Sequence, residues 1–146
     1  MLVLSLFPGA DLFGRAFEEE GFCVVKGPDV LWGGDIRNFK GILGKFDGII
    51  GGPPCKSFSN AIASQPGGGS AALEGNLIPE FERVVRECRP QFYIMENVPQ
   101  APLPNINDTT KLGRLNCRWN MVVDAWKYGA AQHRTRRFSS NIDLSN

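Results

Sequence analysis

The chain has 146 residues, 42% of them hydrophobic and 21% charged, with a formal net charge of +1 at pH 7. That composition describes one globular domain, able to bury roughly 70% of its unfolded surface, and excludes a disordered tail. No apolar run reaches the roughly 18 residues that a transmembrane helix needs, and MLVLSLF is too short, and lacks the basic lead, for a secretory signal.

Residues 2–7, LVLSLF, read as a buried strand stopped by Pro8-Gly9. Leu12, Phe13, Ala16 and Phe17 recur at helical spacing over 11–20, with Asp11 as a candidate cap. FCVVK (22–26) predicts a second strand, and Gly33-Gly34-Asp35-Ile36 the end of a short third. FDGIIG (46–51) is a fourth strand that runs into Pro53-Pro54-Cys55. Lys56 to Gly75 is rich in Ser, Ala and Gly, the composition of a mobile surface loop. LIPEFERVVREC (77–88) predicts an amphipathic helix stopped at Arg89-Pro90, and QFYIME (91–96) a fifth strand. A Pro- and Asn-rich connection over 97–108 leads to a helix around 109–118. NMVVDAW (120–126) and RRFSSNI (136–142) complete the strands. Strands alternating with helices predict an α/β fold, a mostly parallel sheet with helices on both faces, in a single domain over 1–146.

Cys23, Cys55, Cys88 and Cys117 are far apart and form no CxxC pair. That argues against zinc and against a disulfide framework, and favours a reduced, cytoplasmic protein with no membrane contact. Charge is uneven: residues 1–104 carry 9 basic and 12 acidic side chains, residues 105–146 carry 7 and 3. A basic C-terminal third suits a polyanion, and scattered surface charge suits it equally well.

Ligands in open α/β sheets bind at the carboxyl ends of strands, and each polar segment here follows a predicted strand. The Phe7-Pro8-Gly9 turn lets backbone approach a ligand at a helix N-terminus, where N–H groups accept a carboxylate or phosphate. Asp29 stands where an acid would bind ribose hydroxyls and Asp35 where one would reach an adenine edge; each is as readily a solvated loop acid.

Cys55 follows two prolines that fix where its sulfur points. A thiolate adds to carbon 6 of a pyrimidine and makes carbon 5 a methyl acceptor, provided the setting is electropositive. A lone cysteine is more often a small buried hydrophobe. Glu96 ends an apolar strand, a costly place for a carboxylate. Sharing a proton, it would bind nitrogen 3 and the amine of cytosine; the alternative is a carboxylate that braces the turn with Asn97. Gln132, Arg134 and Arg136 lead into the last strand, with the two guanidiniums on one side and Arg137 facing elsewhere. His133, the one histidine, reads as a surface residue.

LFPGADLFGRAFEEEGF, GGPPCKSFS, MENV and QHRTR, in that order over residues 3–138, resemble motifs of the DNA cytosine-5 methyltransferases. The resemblance implies a Rossmann-like fold that binds S-adenosylmethionine and flips a DNA cytosine out of the duplex. It implies Phe7 and Gly9 at the methionine end, Asp29 on the ribose, Asp35 on the adenine and Pro53 beside the cofactor. Cys55 would be the nucleophile and Glu96 the cytosine-binding acid, with Arg134 and Arg136 in the catalytic cleft. Pro54, Asn97 and Gln132 would contact substrate. The chain departs from the pattern at Asp11-Leu12, where glycines are usual, and at Lys56, where Gln is usual. It also lacks the family's target-recognition region and last two motifs. Those departures imply a second polypeptide for target recognition, or a homodimer. The alternatives are a non-catalytic remnant that binds cofactor or nucleic acid, and an RNA cytosine-5 methyltransferase.

Overall fold

The computed structural model describes residues 1–55 and 75–145. Its six strands are β1 (Leu2–Leu6), β2 (Cys23–Lys26), β3 (Gly48–Gly51), β4 (Phe92–Asn97), β5 (Trp119–Asp124) and β6 (Thr135–Ser140). They form one sheet in the order β2-β1-β3-β4-β6-β5. Neighbours from β2 to β4 are parallel, and β6 runs antiparallel to both β4 and β5. The mostly parallel sheet is therefore as expected, with one reversed strand inserted near its edge. That reversal positions the site: the start of β6 lies at the same sheet edge as the ends of β1, β3, β4 and β5.

Alternation along the strands divides the core between two faces. Val3, Ile50 and Phe92 meet Phe13 and Phe17 of helix α1 (Leu12–Glu19). Leu4, Leu6, Ile49, Tyr93 and Met95 meet Phe81, Val84 and Val85 of helix α2 (Ile78–Cys88). Helix α2 forms where the sequence predicts it. Proline stands in its first turn, Arg83 pairs with Glu80 at 2.7 Å and Glu87 at 3.0 Å, and left-handed Arg89 ends it before Pro90. Among the described residues no helix is long and apolar enough to cross a membrane.

Two predicted elements are absent, for the same reason. Residues 33–36 do not end a strand, because Asp29 and Asp35 each cap a 3-10 turn, over Val30–Trp32 and Ile36–Asn38. Their carboxylates accept from Leu31 N and Arg37 N, both at 2.9 Å. Residues 109–118 are not helical either. The Asp108 carboxylate accepts from the backbone N–H of Thr110 and Leu115, both at 3.1 Å, and folds the segment into turns. In each case a short acidic side chain offers the backbone a partner that competes with regular structure. The expected loop over Lys56–Gly75 falls almost wholly outside the described residues.

Candidate active site

At the strand-end edge, Pro53-Pro54-Cys55 leaves β3 and is tied to the end of β4. Asn97 Nδ2 donates to the Pro53 carbonyl at 3.1 Å, while its Oδ1 accepts from Val98 N at 2.9 Å. Asn97 is buried, so this bridge fixes one loop against the other. Cys55 is also buried and pairs with Asn76 through an isolated antiparallel bridge. The thiol lies 3.8 Å from Asn76 Oδ1, which also accepts from Ile78 N at 3.0 Å. Sequence reasoning missed Asn76; its one local signal is an Asn placed just ahead of a helix.

Glu96 is half-buried, and its Oε1 lies 3.0 Å from Arg136 Nε, also half-buried. Cys55, Glu96, Asn97, Arg134 and Arg136 line one pocket together with Pro53 and Pro54. Asp124, at the end of β5, accepts from Arg134 N at 3.2 Å and from Trp126 N at 3.1 Å, and so shapes the turn that delivers Arg134. His133 hydrogen-bonds the same carboxylate at 2.8 Å and stacks on Trp126, on the surface as expected. That hydrogen bond holds the Asp124 carboxyl below its ordinary pKa. Arg137 points away and donates to Ala101 O at 3.4 Å. Gln132 stands exposed, outside the lining of this pocket.

A second cleft adjoins the first. Phe7, Ile36 and Leu77 give it apolar walls, and Asp29 and Asp35 supply carboxylates. Asp29 Oδ2 accepts from Gly9 N at 2.9 Å, so the acid also anchors the left-handed glycine turn after β1. Asp35 is paired with Arg37 Nε at 2.9 Å, a hydrogen bond that lowers its pKa. Pro54 lines both clefts, the expected substrate side included, whereas Pro53, expected beside the cofactor, lines the thiol pocket and not the second cleft. Gly52 lines the second cleft, and a β-carbon there would stand 2.7 Å from Glu96 Oε2. The absence of a side chain at Gly52 leaves the Glu96 carboxylate room beside that cleft.

The N-terminus of α1 differs from the expected anion site. Asp11, buried and left-handed, accepts from Gly14 N at 3.1 Å and from Ser5 Oγ at 2.7 Å. The chain's own carboxylate thus takes up one of the N–H groups that a ligand carboxylate could use.

The profile described as C-5 cytosine-specific DNA methylase matches residues 31–144. The chain belongs to this family. The Fusobacterium nucleatum Type II methyltransferase M.FnuDI is 29% identical across 100% of the chain and 49% of its own length. The Neisseria gonorrhoeae Type II methyltransferase M.NgoPII is 30% identical across 94% of the chain and 47% of its own length. A solved structure of a putative DNA modification methyltransferase from an E. coli prophage superposes with a TM-score of 0.69 at 23% identity, covering 99% of this chain and 49% of its own. That likeness shows the fold, a Rossmann-like methyltransferase sheet. The chain spans about half the length of these relatives.

Proposed function

We propose that this domain transfers a methyl group from S-adenosylmethionine to carbon 5 of cytosine in DNA. The observation that carries the reading is convergence: Cys55, Glu96, Arg134 and Arg136 surround one pocket, and that pocket meets an apolar, carboxylate-rimmed cleft at Gly52 and Pro54. Apolar walls suit a purine ring, and the remaining lone pairs of Asp29 and Asp35 suit ribose hydroxyls and an exocyclic amine. The second cleft therefore fits S-adenosylmethionine, which supplies an electrophilic methyl group when bound.

The chain's own residues supply the rest. The Cys55 sulfur forms a bond to carbon 6 of the flipped cytosine, and the ring electrons move towards carbon 5. Glu96, sharing a proton with nitrogen 3, neutralises the charge that gathers on the ring, and Arg136 holds the Glu96 carboxyl in place. Arg134 offers a guanidinium to the base carbonyl or a phosphate. After methylation, carbon 5 gives its proton to solvent, the electrons of that bond restore the carbon 5–carbon 6 double bond, and the sulfur–carbon bond breaks to release the Cys55 thiolate. Asn97 acts through the Pro53 carbonyl, fixing the loop that carries Cys55.

The test is transfer of labelled methyl to duplex DNA, with single-stranded RNA as the competing acceptor and Cys55→Ala as control. Label recovered as 5-methylcytosine in DNA and lost in the variant supports the reading. Cofactor binding with no transfer in any arrangement, or label confined to RNA, overturns it.

A further inference from the structure

The turn between β5 and β6 has features that methyl transfer itself does not use. It exposes two large aromatics, Trp126 at 55% and Tyr128 at 73%, on a segment that needs neither for the core. The His133 ring stacks on the Trp126 indole, centroids 5.1 Å apart and planes 30° from parallel. Asp124 holds His133 at 2.8 Å and also accepts from Trp126 N and Arg134 N. The Asp124 carboxylate is thus directed into the turn. Residues 125–137 include Lys127, Arg134, Arg136 and Arg137 and no acidic residue.

The turn also continues directly into the base pocket, because Arg134 and Arg136 line that pocket. A base drawn into it brings its strand along, and the neighbouring nucleotides must cross this rim. Aromatic faces interleaved with cations are what a nucleic-acid strand stacks on and neutralises.

We infer that residues 125–134 form a stacking platform for the acceptor strand beside the target cytosine. A flanking base lies on the Trp126–His133 pair or on Tyr128, and phosphates face Lys127 and Arg134. The inference rests on the proposed cytosine chemistry and names the surface that receives the rest of the strand. The groove here has apolar walls of Val123, Ala125, Tyr128 and Phe138, which would suit a polypeptide instead, and a charged side of Glu96, Arg134 and Arg136. The cations outnumber the one acid, Glu96, which is already paired with Arg136, and this excess together with the continuity with the pocket favours nucleic acid.

The test is fluorescence anisotropy with a labelled single-stranded deoxyoligonucleotide that carries 2-aminopurine next to a cytosine. Trp126→Ala and Tyr128→Ala should each weaken binding by roughly fivefold or more and relieve the 2-aminopurine quenching. Trp126→Phe should restore most of the affinity, which a purely structural role of the indole would not predict. Lys127→Ala should lower the salt dependence by about one counterion. Leu43→Ala, an equally exposed position before β3, should change nothing. Both aromatic variants binding within twofold of wild type would overturn the platform and leave the cytosine chemistry standing. A wild-type dimer that Tyr128→Glu dissociates, with oligonucleotide affinity unchanged, would assign the face to a protein partner and also overturn it. Wild type binding no oligonucleotide at all would count against the cytosine reading as well.

Discussion

Replacing Gly52 by alanine should separate stability from catalysis. The added β-carbon would stand 2.7 Å from Glu96 Oε2, with the Glu96 carbonyl oxygen next at 3.5 Å. Ordinary contact begins near 3.4 Å, so the carboxylate must retreat by roughly 0.7 Å. The atom that yields is the far end of a flexible side chain, and Gly52 is not among the left-handed residues. Folding should therefore lose no more than about 1 kcal/mol, a Tm shift within roughly 4 °C. Catalysis is less tolerant, because the retreat disturbs the 3.0 Å pair with Arg136 and the acid's reach to the base. A misplacement approaching 1 Å costs on the order of a hundredfold. Thermal denaturation alongside labelled methyl transfer reads both quantities. Transfer within threefold of wild type at unchanged Tm would refute the view that Gly52 sets the position of Glu96.

Asn97→Ala should lower stability by about 1–3 kcal/mol, since it strands the Pro53 carbonyl in a buried place. A Tm fall of roughly 3–12 °C measures this, and an unchanged Tm would remove Asn97 as the brace of the loop that carries Cys55. Asp108 makes the fold acid-sensitive. Hydrogen bonds from Leu115 N and Thr110 lower its pKa from 3.8 to about 2. Its contribution is therefore fully present above about pH 4 and is lost as pH falls towards 2. Acid denaturation of Asp108→Asn should show a shallower slope across that window, and an identical slope would rule the residue out as its source.

Much of the fold was legible because local pattern and tertiary role agree. The apolar runs of β1, β3 and β4 alternate between two faces, and α2 carries both its apolar stripe and its stop signal. The turns at 33–36 and 109–118 were not legible, because Asp35 and Asp108 can be read as helix or loop acids until their backbone partners are known. Nor does local sequence contain the insertion of β6 between β4 and β5; strand pairing is decided by distant residues. The site divides along the same line. Cys55, Glu96, Arg134 and Arg136 announce themselves as costly residues beside strand ends. The Asn97–Pro53 bridge joins residues 44 apart, and the contact of Asn76 with Cys55 spans 21, so neither leaves a local signature. The Asp11 carboxylate at the N-terminus of α1 was visible as a cap, but its hydrogen bond from Ser5 was not.

The central claim is that the Cys55 sulfur bonds to a cytosine ring, and 5-fluorocytosine tests it directly. Fluorine at carbon 5 cannot depart as a proton does, so the sulfur–carbon 6 bond cannot be released after methylation. Incubation with S-adenosylmethionine and DNA containing the analogue should give a protein–DNA adduct, mapped by mass spectrometry to Cys55 and absent in Cys55→Ala. Methylated product with no adduct at Cys55, or an adduct at another residue, would contradict the account.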